Sequence, residues 1–98
     1  MKSYKEILGN KTWSFLHTLA ENLPDKLTKK ESREFRQFFL YLSKIYPCEE
    51  CQIFFAKYID KFNIDPSKRI LISKYLIDFH NIVNIKLNKP LYLKKKIK

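Results

Sequence analysis

Apolar residues recur every three or four positions along almost the whole chain, and this spacing places them on one face of an α-helix. We expect the first helix to begin near Gly9-Asn10, where Asn10 can act as the N-cap, and to end before Pro24. The apolar face of this helix contains Trp13, Leu16, His17, Ala20 and Leu23.

The second helix is predicted by Thr28 and Glu31, which have the spacing of a capping box. Because proline cannot continue a helix, we expect the second helix to end at Pro47. Its apolar face contains Phe35, Phe38, Phe39, Leu42 and Ile45.

The third helix is expected to begin at Cys48, directly after a proline that suits the entry to a helix. The fourth helix is expected to start at Asp65-Pro66, a cap followed by proline, and to run to about Leu87. The third apolar face contains Cys51, Phe54, Phe55, Tyr58, Ile59 and Phe62, and the fourth contains Leu71, Tyr75, Leu76, Phe79, Val83 and Leu87.

Four helices of this length, joined by short loops, are typical of an all-α four-helix bundle. Pro90 closes the fourth helix, and residues 91–98 form a short fifth piece that ends in lysines. The 98 residues suffice for one domain and are too few for two. We therefore expect a single domain over 1–98, with a basic C-terminal tail at 94–98.

The composition is that of a folded chain, since hydrophobic residues make up 45% and aromatic residues 15%. No apolar run reaches the roughly 20 residues of a membrane span, and the N-terminus lacks the apolar core of a secretory signal. The formal charge of +10 permits nucleic acid, an acidic partner or an anionic cofactor. The lysines are spread over every segment, so the charge alone identifies none of these.

Cys48 and Cys51 are the only cysteines, and they form a C-x-x-C motif within YPCEEC. At the N-terminus of a helix, unpaired backbone N–H groups favour a thiolate. We expect Cys48 to be the outer cysteine, open to incoming thiols, and Cys51 to be more sheltered. The motif therefore predicts a redox dithiol.

Two other interpretations of the cysteines remain open besides that of ordinary buried thiols. With His17 and His80 they could supply four zinc ligands, although the histidines lie far apart in sequence. Alternatively, the chain is a basic helical module that binds nucleic acid and the cysteines are incidental. A redox dithiol here also needs an acceptor, a bound cofactor or another protein, because no βαβ pattern of a thioredoxin fold is visible.

Four stretches taken together resemble one known family. They are LGNKTWSFLHTLA at 8–20, YPCEEC at 46–51, HNIVN at 80–84 and LNKP at 87–90. In this order they are similar to the motifs of the Erv/ALR family of FAD-dependent sulfhydryl oxidases. The resemblance extends from about residue 5 to residue 93, and its several ordered motifs make it far more specific than C-x-x-C alone.

The resemblance implies a four-helix bundle with a short fifth helix, FAD at the mouth of the bundle, and a homodimer. It implies Cys48 and Cys51 as catalytic residues, with Tyr46 and Cys51 beside the flavin. The other cofactor-binding residues that it implies are Gly9, Lys11, Thr12, Trp13, His17, His80, Asn81, Val83, Asn84, Lys86, Leu87 and Lys89.

The implied reaction makes disulfides in client proteins. A client thiolate attacks Cys48, Cys51 passes electrons to FAD, and oxygen or cytochrome c removes them, with hydrogen peroxide as the product from oxygen. The client dithiol belongs to the substrate itself or to a thioredoxin-like or shuttle protein, because this chain lacks the shuttle cysteines of many members. The implied compartments are the mitochondrial intermembrane space, a related organelle, or the host cytoplasm for a viral protein.

The chain departs from the family pattern at several positions. A structural disulfide of many members is replaced by Ile77 and Lys94. The tryptophan before the H-N motif is Tyr75, and the residue after L-G, often arginine, is Asn10. We therefore expect packing and cofactor binding to provide stability that the disulfide provides elsewhere.

Overall fold

The computed structural model describes residues 4–93, and within them the chain forms four α-helices. These are α1 (Tyr4–Glu21), α2 (Lys29–Ile45), α3 (Glu49–Lys61) and α4 (Arg69–Lys86). The predicted all-α fold is confirmed; the one extended pairing among these residues is an isolated bridge between Lys26 and Lys68. Of the expected fifth piece, residues 91–93 are not helical, and residues 94–98 lie outside the described part.

The helices pack in two pairs, α1 with α4 and α2 with α3, around an aromatic core. Phe79 of α4 is 1% exposed and lies at its centre. Its ring centroid is 4.1 Å from that of Tyr58, 4.8 Å from that of Phe55 and 5.4 Å from that of Trp13. One ring therefore joins α3 and α4 to α1.

The two loops at one end of the bundle are tied to each other. The backbone N–H of Leu27 donates to the carbonyl of Ser67 at 2.9 Å, and that of Arg69 donates to the carbonyl of Asp25 at 3.1 Å. The Arg69 guanidinium also forms an ion pair with the Asp25 carboxylate. The α2–α3 turn with its two cysteines lies at the opposite end of the bundle, away from these two loops.

The capping box of α2 is confirmed. The Glu31 backbone N–H donates to the Thr28 hydroxyl at 3.1 Å, and the Thr28 backbone N–H donates to the Glu31 carboxylate at 2.8 Å. Both bonds satisfy donors that the first turn of a helix leaves unpaired.

Two predicted helix starts are wrong. Helix α1 begins at Tyr4, so Asn10 lies inside the helix and caps nothing. Helix α4 begins at Arg69, three residues after Pro66, and its N-cap makes no side-chain bond. Asp65 instead accepts a hydrogen bond from the Ser67 backbone N–H at 3.1 Å, which closes a local turn ahead of the helix.

Four residues of the predicted apolar faces are exposed instead of buried. They are Ile45 at 74%, Phe62 at 44%, Leu71 at 38% and Leu87 at 55%. Ile72 occupies the core in place of Leu71, and Ser43 is the buried residue of the last turn of α2. Ser43 satisfies its hydroxyl locally by donating to the carbonyl of Leu40 at 2.6 Å.

Candidate active site

Cys48 and Cys51 are joined by a disulfide at the start of α3, with their Cα atoms 5.2 Å apart. Cys48 is the N-cap of α3, and its sulfur accepts a hydrogen bond from the Cys51 backbone N–H at 3.3 Å. When the disulfide is reduced, the same N–H group and the positive end of the helix dipole favour a thiolate at Cys48. The location is therefore suited to thiol–disulfide exchange.

The predicted order of exposure of the two cysteines is reversed. Cys48 is buried, with 7% of its surface exposed, whereas Cys51 is partly exposed. The first turn of α1 reaches the same region, because the Tyr4 hydroxyl donates to the carbonyl of Pro47, directly before Cys48. Sequence spacing places both cysteines on one helix but does not show that α1 crosses this turn.

The α2–α3 turn is also connected to α1 through Tyr46, which is 8% exposed. The Tyr46 hydroxyl lies 3.0 Å from Oγ1 of Thr12. Because the Thr12 hydroxyl proton is donated to the carbonyl of Leu8 at 2.8 Å, the Tyr46 hydroxyl is the donor to Thr12. Two predicted site residues therefore meet each other close to the disulfide.

Further along α1, four rings form an aromatic cluster. The Trp13 ring stacks on His80 with centroids 4.3 Å apart and planes 11° apart. The His17 ring stacks on Tyr92 with centroids 4.3 Å apart and planes 2° apart. The cluster brings together residues of α1, α4 and the segment after α4.

The cluster borders a cavity of about 310 Å³. Stacked rings supply one part of its wall, and a row of polar side chains on α1 supplies another. Such a lining suits a flat heteroaromatic ring with hydrogen-bonding edges. The cavity is lined by Asn10, Trp13, Ser14, His17, Thr18, Glu21, His80 and Tyr92.

The two histidines form a direct pair, with Nε2 of His17 located 3.0 Å from Nδ1 of His80. Burial first, and then the nearby charges of His17 and Lys89, lower the pKa of His80 from 6.5 to about 4. His80 is therefore neutral at pH 7, and one N–H group lies between the two rings.

Two hydrogen bonds between the Asn81 side chain and the Tyr92 backbone, here called the Asn81 clamp, hold the segment after α4 in place. The Asn81 side-chain Nδ2 donates to the Tyr92 carbonyl at 3.2 Å, and its Oδ1 accepts from the Tyr92 backbone N–H at 2.6 Å. Asn84, which is 7% exposed, donates to the same Oδ1 at 3.4 Å. Chain reversal occurs at Asn88, whose φ of 57° is a conformation that asparagine tolerates better than most residues.

Tyr92 is a site residue that sequence reasoning missed, together with Asn10, Ser14, Thr18 and Glu21 on α1. The only sequence signal for Tyr92 was an aromatic residue shortly after Pro90. Its position depends on the Asn81 clamp, which is a contact between two segments rather than a local pattern.

The remaining predicted cofactor-binding residues lie outside the lining of this cavity. Nζ of Lys86 lies 4.4 Å from the centroid of Phe54, one turn after Cys51 on α3. Val83 packs against the core. Leu87 and Lys89 are exposed just after α4, while near the start of α1 Gly9 is half-buried and Lys11 is exposed.

The zinc alternative receives no support from the described part of the chain. His17 and His80 do meet, but residues 4–93 contain no group of three or more His, Cys, Asp or Glu side chains able to hold a metal ion. The two cysteines are bonded to each other.

None of the helices within residues 4–93 is long and apolar enough to cross a membrane.

Comparison with known proteins gives one consistent family. The family model described as "Erv1 / Alr family" matches residues 10–98. The chain is 34% identical to the FAD-linked sulfhydryl oxidase ERV1 of Oryza sativa subsp. japonica, covering 90% of this chain and 45% of that protein. It is also 34% identical to the putative FAD-linked sulfhydryl oxidase 347L of Invertebrate iridescent virus 6, covering 87% of this chain and 83% of that protein.

Solved structures give the same result. The chain matches the crystal structure of the yeast Erv1 core with a TM-score of 0.88 and 34% identity, covering 94% of this chain and 78% of that one. The FAD-binding domain of Erv1 from Saccharomyces cerevisiae matches with the same TM-score and identity, covering 93% of this chain and 87% of that one. The chain spans about half the length of the plant relatives that it matches.

Proposed function

We propose, since the chain belongs to the Erv1 / Alr family, that it is a sulfhydryl oxidase that makes disulfides in client proteins and uses FAD to remove the electrons. The observation that carries this proposal is the Cys48–Cys51 disulfide at the N-terminus of α3, on the same bundle as an aromatic cavity. Helix α1 links the two, because Thr12 contacts Tyr46 near the disulfide and His17 lines the cavity.

The thiol step needs only the chain's own residues and the client. A client thiolate attacks the Cys48 sulfur, the Cys48–Cys51 bond breaks, and the electron pair leaves on Cys51 as a thiolate. The second client thiolate then attacks the client sulfur of the mixed disulfide and releases Cys48. The client has lost two electrons and two protons, and Cys48 and Cys51 hold a reduced dithiol.

Helix α3 assists this step in a defined way. The Cys51 backbone N–H already points at the Cys48 sulfur at 3.3 Å, so negative charge on that sulfur finds a hydrogen-bond donor without rearrangement. The burial of Cys48 means that a client must displace part of its cover, and Tyr4 is bonded to the adjacent carbonyl of Pro47. The substrate is therefore a flexible dithiol segment or the end of a shuttle protein.

The residues of the site fit FAD. The ring-lined cavity matches a flat heterocycle, and its polar α1 edge can bind hydroxyl and amine groups. Exposed Lys11 and Lys89 offer positive charge for a diphosphate, and Lys86 lies near α3 on the Cys51 side. Bound FAD would supply a two-electron acceptor for the dithiol, with oxygen as the terminal acceptor and hydrogen peroxide as its product.

The proposed cofactor-binding set is the one that the sequence predicts, with Tyr92 added. Within it Trp13, His17 and His80 form the ring cluster, Tyr46 and Cys51 lie on the disulfide side, and Asn81 positions the added residue. Cytochrome c is the alternative acceptor to oxygen. The setting that we propose is mitochondrial, the location in the name of the Schizosaccharomyces pombe relative. If the protein is viral, like the iridescent virus relatives, we propose the host cytoplasm.

A homodimer is also part of the proposal. Large apolar side chains remain exposed on α1 and α2, among them Phe15 at 56%, Tyr41 at 59% and Ile45 at 74%. A contiguous patch of exposed apolar side chains is the usual feature of a surface that another chain covers, and we propose that these residues belong to one. A second copy of this chain would bury them in a symmetric interface.

The visible absorption spectrum of the purified protein is the first test. A flavin band near roughly 450 nm, together with oxygen-dependent loss of thiols from a model dithiol, is the expected result. A colourless protein that takes up no added FAD and consumes no thiols would overturn the proposal. Salt-dependent binding of duplex DNA by such a protein would instead identify the nucleic-acid alternative.

A further inference from the structure

The carbonyl of Tyr46 accepts two hydrogen bonds within the α2–α3 turn. One comes from the Cys48 backbone N–H at 2.7 Å, and the other comes from Nε2 of Gln52 at 2.5 Å. Gln52 directly follows the C-x-x-C motif, and its own backbone N–H donates to the Cys48 carbonyl at 2.9 Å. Gln52 therefore holds the chain on both sides of Pro47.

Gln52 lies outside the catalytic and cofactor-binding sets described above. Its side chain is half-buried, and its amide spans back over the residues that carry the disulfide to reach the C-cap residue of α2. Since the Tyr46 carbonyl takes no part in sulfur chemistry, its bond with Gln52 acts on the redox pair through the shape of the turn.

We propose that Gln52 is a positioning residue for the Cys48–Cys51 couple and that its bond to the Tyr46 carbonyl shifts the dithiol–disulfide equilibrium toward the disulfide. This rests on the proposed function only in taking Cys48 and Cys51 as the redox pair. The bond keeps the segment before Cys48 folded in the shape in which its sulfur meets Cys51.

The direction of the shift follows from conformational entropy. In the disulfide form the S–S bond already orders residues 48–51. Forming the Gln52 hydrogen bond therefore costs little additional conformational entropy. In the dithiol form the hydrogen bond must order the turn by itself and is worth less. By linkage, a bond that is stronger in the disulfide form favours disulfide formation by the same factor.

The test compares Gln52→Met, which keeps the side-chain length and removes the N–H donor, with Gln37→Met on an exposed position of α2. Each protein is equilibrated without oxygen in mixtures of reduced and oxidised dithiothreitol. Free thiols are then alkylated at low pH and counted by mass. We expect the equilibrium constant for disulfide formation to fall at least about twofold in Gln52→Met and to stay unchanged in Gln37→Met. The fall is at most about tenfold, because the difference in strength between the two forms cannot exceed one net hydrogen bond.

A purely structural bond gives a different result. It would lower the stability of the oxidised and reduced proteins equally and leave the equilibrium constant of Gln52→Met unchanged, which would overturn the proposal. Gln52→Asn, which keeps the amide but shortens its reach by one methylene, serves if the Met variant does not fold, and the same fall is expected. Thiol counting needs neither bound flavin nor turnover, so this result and that of the absorption test are independent.

Discussion

Nε2 of His17 lies 3.0 Å from Nδ1 of His80, although the two residues are 63 positions apart in sequence. The pair joins the middle of α1 to the middle of α4 with one shared N–H group. Since protonation of both rings would place two positive charges and two donors against each other, the contact requires a neutral partner. The pair is therefore a pH-sensitive link between the two helices that form the cavity.

This link predicts that stability falls with acidification. The pKa of His80 is lowered from 6.5 to about 4 by burial first and by His17 and Lys89 next. Between these values the unfolded chain binds more protons than the folded one, so stability rises with pH. We expect the free energy of unfolding, from urea titration, to decrease as pH falls from about 6.5 to about 4.

The control for the pH dependence is His80→Gln, which removes the titrating ring. Above about pH 5 most carboxylates remain ionised, so the difference between wild type and His80→Gln isolates this histidine. The slope of stability against pH should become shallower in the variant. Equal slopes in the two proteins would show that the His17–His80 pair does not govern the acid response.

The second prediction concerns the disulfide. Cys48→Ser and Cys51→Ser should each lose thiol oxidase activity by about a hundredfold or more, because serine cannot take part in disulfide exchange. The flavin band should remain in both variants if the cavity rather than the cysteines retains the cofactor. We therefore expect both variants to consume no oxygen with a dithiol substrate while they keep the flavin absorption band. Activity close to that of the wild type in either variant would refute the role of the pair.

The third prediction concerns the Asn81 clamp. Asn81→Ala removes both hydrogen bonds to the Tyr92 backbone, which should cost about 1–3 kcal/mol and release the segment after α4. Chymotrypsin should then cleave after Tyr92 faster than in the wild type, at a protease concentration that leaves the helices intact. The matched control is Asn63→Ala, at an exposed position after α3, which should leave the cleavage rate unchanged.

The fourth prediction concerns the central ring. Phe79→Ala should lower the free energy of unfolding by about 3–5 kcal/mol, because Phe79 is 1% exposed and contacts rings of three helices. Ile70→Ala, at a residue that is 73% exposed, should change it by less than about 1 kcal/mol. Denaturant titration monitored by circular dichroism measures both. A similar loss in the free energy of unfolding at the two positions would show that Phe79 does not lie at the centre of the core.

The fifth prediction concerns the exposed apolar side chains of α1 and α2. Phe15→Glu and Tyr41→Glu should each convert the proposed homodimer into a monomer of normal helix content, because a carboxylate opposes burial. Light scattering during size-exclusion chromatography gives the mass directly. Ile70→Glu, on a different helix, is the control. A wild-type protein that is monomeric at high concentration would exclude the dimer.

One local signal predicted a helix start correctly. Thr28 and Glu31 form their capping box because both bonds lie within four residues of each other. Asp65-Pro66 carried an equally good signal and failed, since the start of α4 is decided by a distant loop. Arg69 is held by Asp25 of the α1–α2 loop, and nothing in the sequence around Asp65 records that contact.

The site shows the same division between local and long-range information. The resemblance identified Trp13, His17 and His80, and the structure brings all three together. It did not identify Tyr92, whose place depends on a side chain eleven residues earlier. The exposure of the cysteines was also misjudged, because Cys48 is covered by packing that spacing alone does not describe.

The Asn81 clamp grips the backbone of residue 92 and leaves the identity of its side chain free. Anchoring and chemistry are therefore separable at this position. Replacing Tyr92 with tryptophan, phenylalanine or an aliphatic residue should therefore keep the segment after α4 in place. Substitution at residue 92 could thus change which ligands the cavity binds without changes to the four helices.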